Sequence, residues 1–159
     1  MNNREFVLDA MRRNGKAAAL AVQEKSSAMT GTELNAQDDY IPTFQAAKAK
    51  CNMLERKAGR TDGFVCKSSA GRVVRLIQNY DSTVYTQEPE ELAAQWGFVW
   101  STDPAKAKPF VALSTSPYNK GECCLNGAGE AKRSIMDGNV WSPDSNPEYW
   151  EDAEVEADG

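Results

Sequence analysis

The run Asn139–Trp150, NVWSPDSNPEYW, sets Trp141, Tyr149 and Trp150 among Asn, Asp, Ser and Glu side chains, with Pro143 and Pro147 between them. Large flat rings in a polar loop leave apolar area in water unless they are buried or meet a ligand. This cluster is the clearest functional clue in the chain. Covalent chemistry has less support. With no histidine, Ser-His-Asp and Cys-His catalysis and the commonest zinc ligand are ruled out. Cys51, Cys66, Cys123 and Cys124 fit no zinc spacing, and neighbours on a strand point to opposite faces. They are expected as buried small apolar residues or free thiols, with no metal and no cofactor. A glycosidase needs only two carboxylates roughly 5–10 Å apart, and the chain holds 23 acids. So many acids make accidental pairs common, and Glu88, Glu90 and Glu91 fit helix-start chemistry. The chain is therefore read as non-enzymatic.

The aromatic run follows two expected strands, Glu122–Asn126 and Glu130–Ile135, joined through Asn126-Gly127-Ala128-Gly129. Upstream, Arg4 to about Lys25 reads as a helix with Val7, Met11, Ala18 and Val22 on one face, interrupted at Asn14-Gly15. Thr30-Gly31-Thr32 reads as a turn. A second helix is expected from Pro42, with Phe44, Ala47, Cys51 and Leu54 closing an antiparallel seam against the first. Phe64–Ser68 and Arg72–Gln78 form an expected hairpin around Ser69-Ala70-Gly71. Pro89 to Trp96 reads as a short helix, Trp96–Trp100 as a strand with both indoles on a core face, and Pro109 to Leu113 as a strand. Asp103-Pro104 is expected to cap one helical turn. Beyond Trp150 the acidic tail is expected to be disordered.

At 159 residues the chain supports one domain, or a helical part with a small β module. Charge is mildly acidic, with 18 basic against 23 acidic residues, but Ala46 to Leu76 is basic. A solvated helix face accounts for that segment better than nucleic-acid binding, since no nucleic-acid motif accompanies it. No run of eighteen apolar residues exists, so no membrane span is expected. No signal peptide opens the chain, so synthesis in a reducing cytosol is expected.

Read in order, the last third shows Tyr118, Lys120-Gly121-Glu122, Asn126-Gly127, Arg133-Ser134, Asp137-Gly138-Asn139, Val140-Trp141-Ser142-Pro143, Pro147 and Trp150. That succession resembles the three-stranded carbohydrate-binding modules attached to bacterial chitinases. It looks still more like a version found in short tail-associated proteins of Gram-positive phages and prophages. The segments FQAAKAKCNMLERKAG, GFVCKSSAGRVVRLIQ and QWGFVWSTDPAKAKPF look similar to the front part of such proteins. Three departures stand out. Lys132 occupies a position that is usually aromatic, Gly-Asp is replaced by Gly121-Glu122, and the hairpin turn is richer in glycine.

The elements read from the chain make it α+β, with a helical part at 1–58, a central β-hairpin region at 59–114 and an acidic tail at 152–159, and the resemblance implies a three-stranded antiparallel module at 115–151. It implies attachment to cell-surface polysaccharide, in a virion tail with other phage tail proteins. Sugar rings present apolar C–H faces edged by hydroxyls, which flat rings cover and polar groups hydrogen-bond. Trp141, Tyr149 and Tyr118 would supply the rings, and Asn139, Asp144 and Glu148 the polar contacts. Trp141 stands open between platform and core, and Trp150 reads as core. The other reading is a phage protein that inhibits a host protein such as a defence nuclease, its acidic surface mimicking phosphate.

Overall fold

The computed structural model describes residues 17–154 of the chain. Residues 17–25 are helical (α1), and the part of the expected first helix covering residues 4–16 lies outside the described residues. Thr30 then starts α2, Gly31–Ala36, through a reciprocal cap. Its Oγ1 accepts the Glu33 N–H at 3.1 Å, and Glu33 Oε1 accepts the Thr30 N–H at 3.1 Å. Thr30-Gly31-Thr32 is therefore a helix start, not the turn read from sequence, and Glu33 at the third position was the signal. Gly31 has a packing role, because a Cβ there would overlap the Trp100 carbonyl oxygen.

Helix α3, Phe44–Lys50, begins after Thr43, whose side chain accepts the Ala46 N–H. It is shorter than expected. Leu54, expected on its apolar face, lies beyond its end and is exposed. Nor do the helices close a seam on one another. Val22 of α1 packs with Leu34, Ile41, Val65 and Val73, whereas Phe44 and Ala47 of α3 pack with Met53, Cys66, Val74 and Leu76.

The element that separates these two groups is the expected hairpin. Strands β1 (Val65–Lys67), β2 (Val73–Leu76) and β3 (Trp96–Phe98) form an antiparallel sheet in that order. Val65 faces Arg75 and Cys66 faces Val74 across the first pair. Period-two alternation thus sends Val65 and Val73 to the α1 side and Cys66 and Val74 to the α3 side. Gly71 closes the turn at φ +83°, where a side chain would be strained. The expected helix at Pro89–Trp96 contracts to a 3-10 turn, Pro89–Glu91, followed by β3. Asp103 does cap a turn, Pro104–Lys106, its side chain accepting the Ala105 N–H at 2.9 Å.

The second sheet runs β4 (Lys108–Pro109), β5 (Cys123–Leu125), β6 (Ala131–Ser134) and β7 (Trp150–Asp152). Strands β5, β6 and β7 are antiparallel, while β4 adds a parallel edge, so this sheet is mixed and four-stranded. The fold is α+β, with few helices and two sheets. Strand β7 also corrects the expectation of disorder immediately beyond Trp150. Asp152 pairs with Lys132 and Glu151 with Arg133 across the strands, and Ala153 is buried. Lys132, the departure from an aromatic, thus has a partner in the acidic segment.

One buried cluster contains Phe44, Leu76, Trp96, Trp100, Tyr118, Cys124 and Trp150 and so draws on both sheets. Arg72 reinforces the link between them, its Nη1 pairing with Glu90 at 2.9 Å and its Nη2 donating to the Pro109 carbonyl at 2.6 Å.

Candidate aromatic binding surface

The polypeptide around Trp141 is organised by Asn139, whose side chain is fully buried. Its Nδ2 donates to Ser134 Oγ at 3.0 Å and to the Tyr149 carbonyl at 3.2 Å, and its Oδ1 accepts the Trp141 N–H at 3.1 Å. Its backbone exchanges two hydrogen bonds with Tyr118. A buried amide with every group satisfied specifies one arrangement of the loops it joins. Asn139 therefore positions the surface, and burial removes it from the residues that can face a ligand.

Tyr118 is corrected in the same way. It is 1% exposed, stacked between Trp100 and Phe110 and set edge-on to Trp150. Its aromatic character is used to exclude water from the junction of the sheets, so it offers no stacking face.

Trp141 and Tyr149 remain. The Trp141 indole is 41% exposed and lies 5.1 Å from the Tyr149 ring at 44°. Its backbone is fixed at both ends, by Asn139 at the N–H and by Trp150 Nε1 donating to its carbonyl at 2.9 Å. Tyr149 closes the 3-10 turn Pro147–Tyr149 with its N–H on the Asn146 carbonyl. The result is a pair of tilted rings on a backbone held by partly buried hydrogen bonds. Such pre-organisation reduces the ordering cost of binding.

Asp144 and Glu148 are exposed, each with one oxygen already engaged. Asp144 Oδ2 accepts the Gly127 N–H at 2.8 Å, which ties the hairpin turn to the 142–146 loop, and Glu148 Oε1 accepts from Asn146 Nδ2 at 3.3 Å. Each keeps a second oxygen as an acceptor. Sequence reading missed Ile135, which is 44% exposed at the end of β6, its N–H donating to the Tyr149 carbonyl. The signal was present as an apolar residue ending a strand of small and charged side chains.

Among the described residues, no three His, Cys, Asp or Glu side chains gather into a group that could hold a metal ion. No described helix is long and apolar enough to cross a membrane. Comparison of the chain with protein-family models, with curated proteins and with solved structures finds no match in any of the three.

Proposed function

We propose that the chain is a non-catalytic binding protein that attaches to cell-surface glycan through Trp141 and Tyr149, with Asp144 and Glu148 serving sugar hydroxyls. The resemblance of Tyr118–Trp150 to chitinase-type modules supports this reading, and extends it to a tail-associated role in a Gram-positive phage or prophage. On that reading residues 115–151 act as the binding module.

The observation that carries the proposal is the contrast among the four tryptophans. Trp96, Trp100 and Trp150 are 0%, 5% and 7% exposed, whereas Trp141 is 41% exposed on a rigid backbone. A solvent-facing indole beside a second ring suits the apolar face of a sugar. The nuclease-inhibitor reading loses support at Glu151 and Asp152, which pair with Arg133 and Lys132 and so present less free negative charge.

A pull-down on insoluble chitin and on Gram-positive cell walls tests the proposal, comparing the wild type with Trp141→Ala. Retention of the wild type with loss of about 2 kcal/mol, roughly thirtyfold in affinity, in the folded variant is the expected result. Failure of the wild type to bind either material would sink it.

A further inference from the structure

Arg75 of β2 is a buried cation that forms no ion pair among the described residues. It is 6% exposed, and its three hydrogen bonds go to neutral acceptors. Nη1 donates to Ser26 Oγ at 3.1 Å and the Gly63 carbonyl at 3.3 Å, and Nη2 donates to the Ser26 carbonyl at 3.0 Å. Asp62, the acid whose charge acts on Arg75, is held by Lys57 at 2.7 Å. Burial without a paired anion is costly, and it pulls the guanidinium below its usual basicity.

Arg75 lines a cleft of about 320 Å³ that also takes in Arg60, Ser116, Asn119 and Glu122. Arg60 is exposed and has no carboxylate partner among the described residues. Ser116 Oγ accepts the Phe98 N–H at 2.9 Å, which leaves its own hydrogen to donate. Asn119 Oδ1 accepts the Gly138 N–H at 3.1 Å, and its Nδ2 has no acceptor among the described residues. Gly97, across from Arg75 on β3, also lines the cleft. The cleft's acid, Glu122, already accepts the Asn119 N–H at 2.6 Å, and burial raises its carboxyl above the ordinary value.

The three bonds to Ser26 and Gly63 explain why an arginine fork is used at position 75. They do not explain a second unpaired arginine on the same cleft, or free donors beside it. Two like charges around one polar cavity repel, and an anion between them reverses the sign of that interaction. We propose that this cleft binds an oxyanion group, the phosphate or carboxylate of a small ligand, between Arg60 and Arg75, with Ser116 and Asn119 donating to it. The Arg60 guanidinium fork matches the geometry of both groups, while Arg75 adds its charge. The cleft shares no lining residue with Trp141, Tyr149, Asp144 or Glu148.

The test is an NMR titration of the ¹⁵N-labelled full chain with inorganic phosphate and, separately, acetate, with ionic strength held constant by sodium chloride. Saturable shifts at the Gly97, Ser116 and Asn119 amides are expected, weakened about tenfold in Arg60→Ala and unchanged in Trp141→Ala. Because Arg60 is exposed, its substitution leaves the fold intact where Arg75→Gln could disrupt it. Saturation by phosphate alone assigns a phosphate group and by acetate alone a carboxylate, and either supports the site. Absence of saturation with both probes, or equal binding by Arg60→Ala, overturns it.

Discussion

The Trp100 ring lies flat on Tyr118, with centroids 4.3 Å apart and planes 13° from parallel. Tyr118 then meets the Trp150 ring edge-on at 5.4 Å, and Trp100 Nε1 donates to the Ser116 carbonyl at 2.9 Å. Trp100 follows β3 of the first sheet and Trp150 opens β7 of the second, so Tyr118 is the ring through which the two sheets share a core. Aromatic pairs of this kind add roughly 0.5–1.5 kcal/mol beyond the area they bury.

Tyr118→Phe is predicted to leave stability unchanged or to raise it by up to about 1 kcal/mol, because the buried hydroxyl has no hydrogen-bond partner among the described residues. Tyr118→Ala is predicted to cost about 3–5 kcal/mol through the cavity it leaves. Urea denaturation of both variants checks this. A large loss in the phenylalanine variant would mean that the hydroxyl does bond, to the adjacent Val111 backbone or to water.

The two tryptophans of the aromatic run should separate cleanly. Trp150 is buried between Phe110 and Tyr118 and opens β7, so Trp150→Ala should cost about 3–5 kcal/mol. Trp141 keeps a large fraction of its surface in water already, so Trp141→Ala should cost no more than about 1–2 kcal/mol. Thermal melts of the two variants rank them. Equal losses would place Trp141 in the core and remove its ring from recognition.

How far these roles could be read from sequence depends on whether the signal was local. The β1–β2 hairpin and the Asp103 cap rest on alternation, turn residues and a side chain bonding its own neighbourhood, and both were legible. Cys123 and Cys124 were legible too, since strand alternation alone sends one to a small cluster with Ala107 and Ala153 and the other to the main core. Tyr118 and Asn139 were misread because their residue types suit a binding site and a polar core junction equally well. Their burial is decided by Trp100, Ser134 and Tyr149, partners that no local pattern names. Strand β7 was missed because Glu151 and Asp152 look like a solvated tail until Arg133 and Lys132 lie opposite them.

Glu122 supplies a pH test. Burial, aided by the nearby charge of Asp137, raises its carboxyl above 4.5, so the folded chain holds this proton more tightly than the unfolded one. Stability from this group is therefore fully present below the ordinary glutamate value and is lost as pH rises through the folded value. Glu122→Gln keeps an oxygen for the Asn119 N–H and removes the titration. Its stability relative to wild type should increase as pH rises above about 4.5 and level off once the pH has passed the folded value. Denaturation curves across that range read the difference. A constant difference would show that Glu122 ionises as freely in the fold as in the unfolded chain.

The cysteines should report the layering of the core. Cys51 is half-buried just past α3, with its Sγ near the Asn52 carbonyl and Glu55, and should react at once with a disulfide reagent. Cys66, Cys123 and Cys124 are buried, and burial raises all three thiols, that of Cys124 to about 12. Labelling of these three needs an opening that exposes the sulfur and lets it ionise, since the thiolate is the nucleophile. Native labelling should therefore show one fast thiol, with the other three slower by about 10³ or more. Their order is also set by the fold. Cys66 and Cys124 belong to the main core, whereas Cys123 belongs to the small cluster with Ala107 and Ala153, beside strand β7. Cys123 should be the first of the three to react, because that cluster opens without disturbing the stacked rings. Mass-spectrometric mapping of labelled sites over time would reveal the sequence, and simultaneous labelling of all three would mean that β7 opens only with the whole fold.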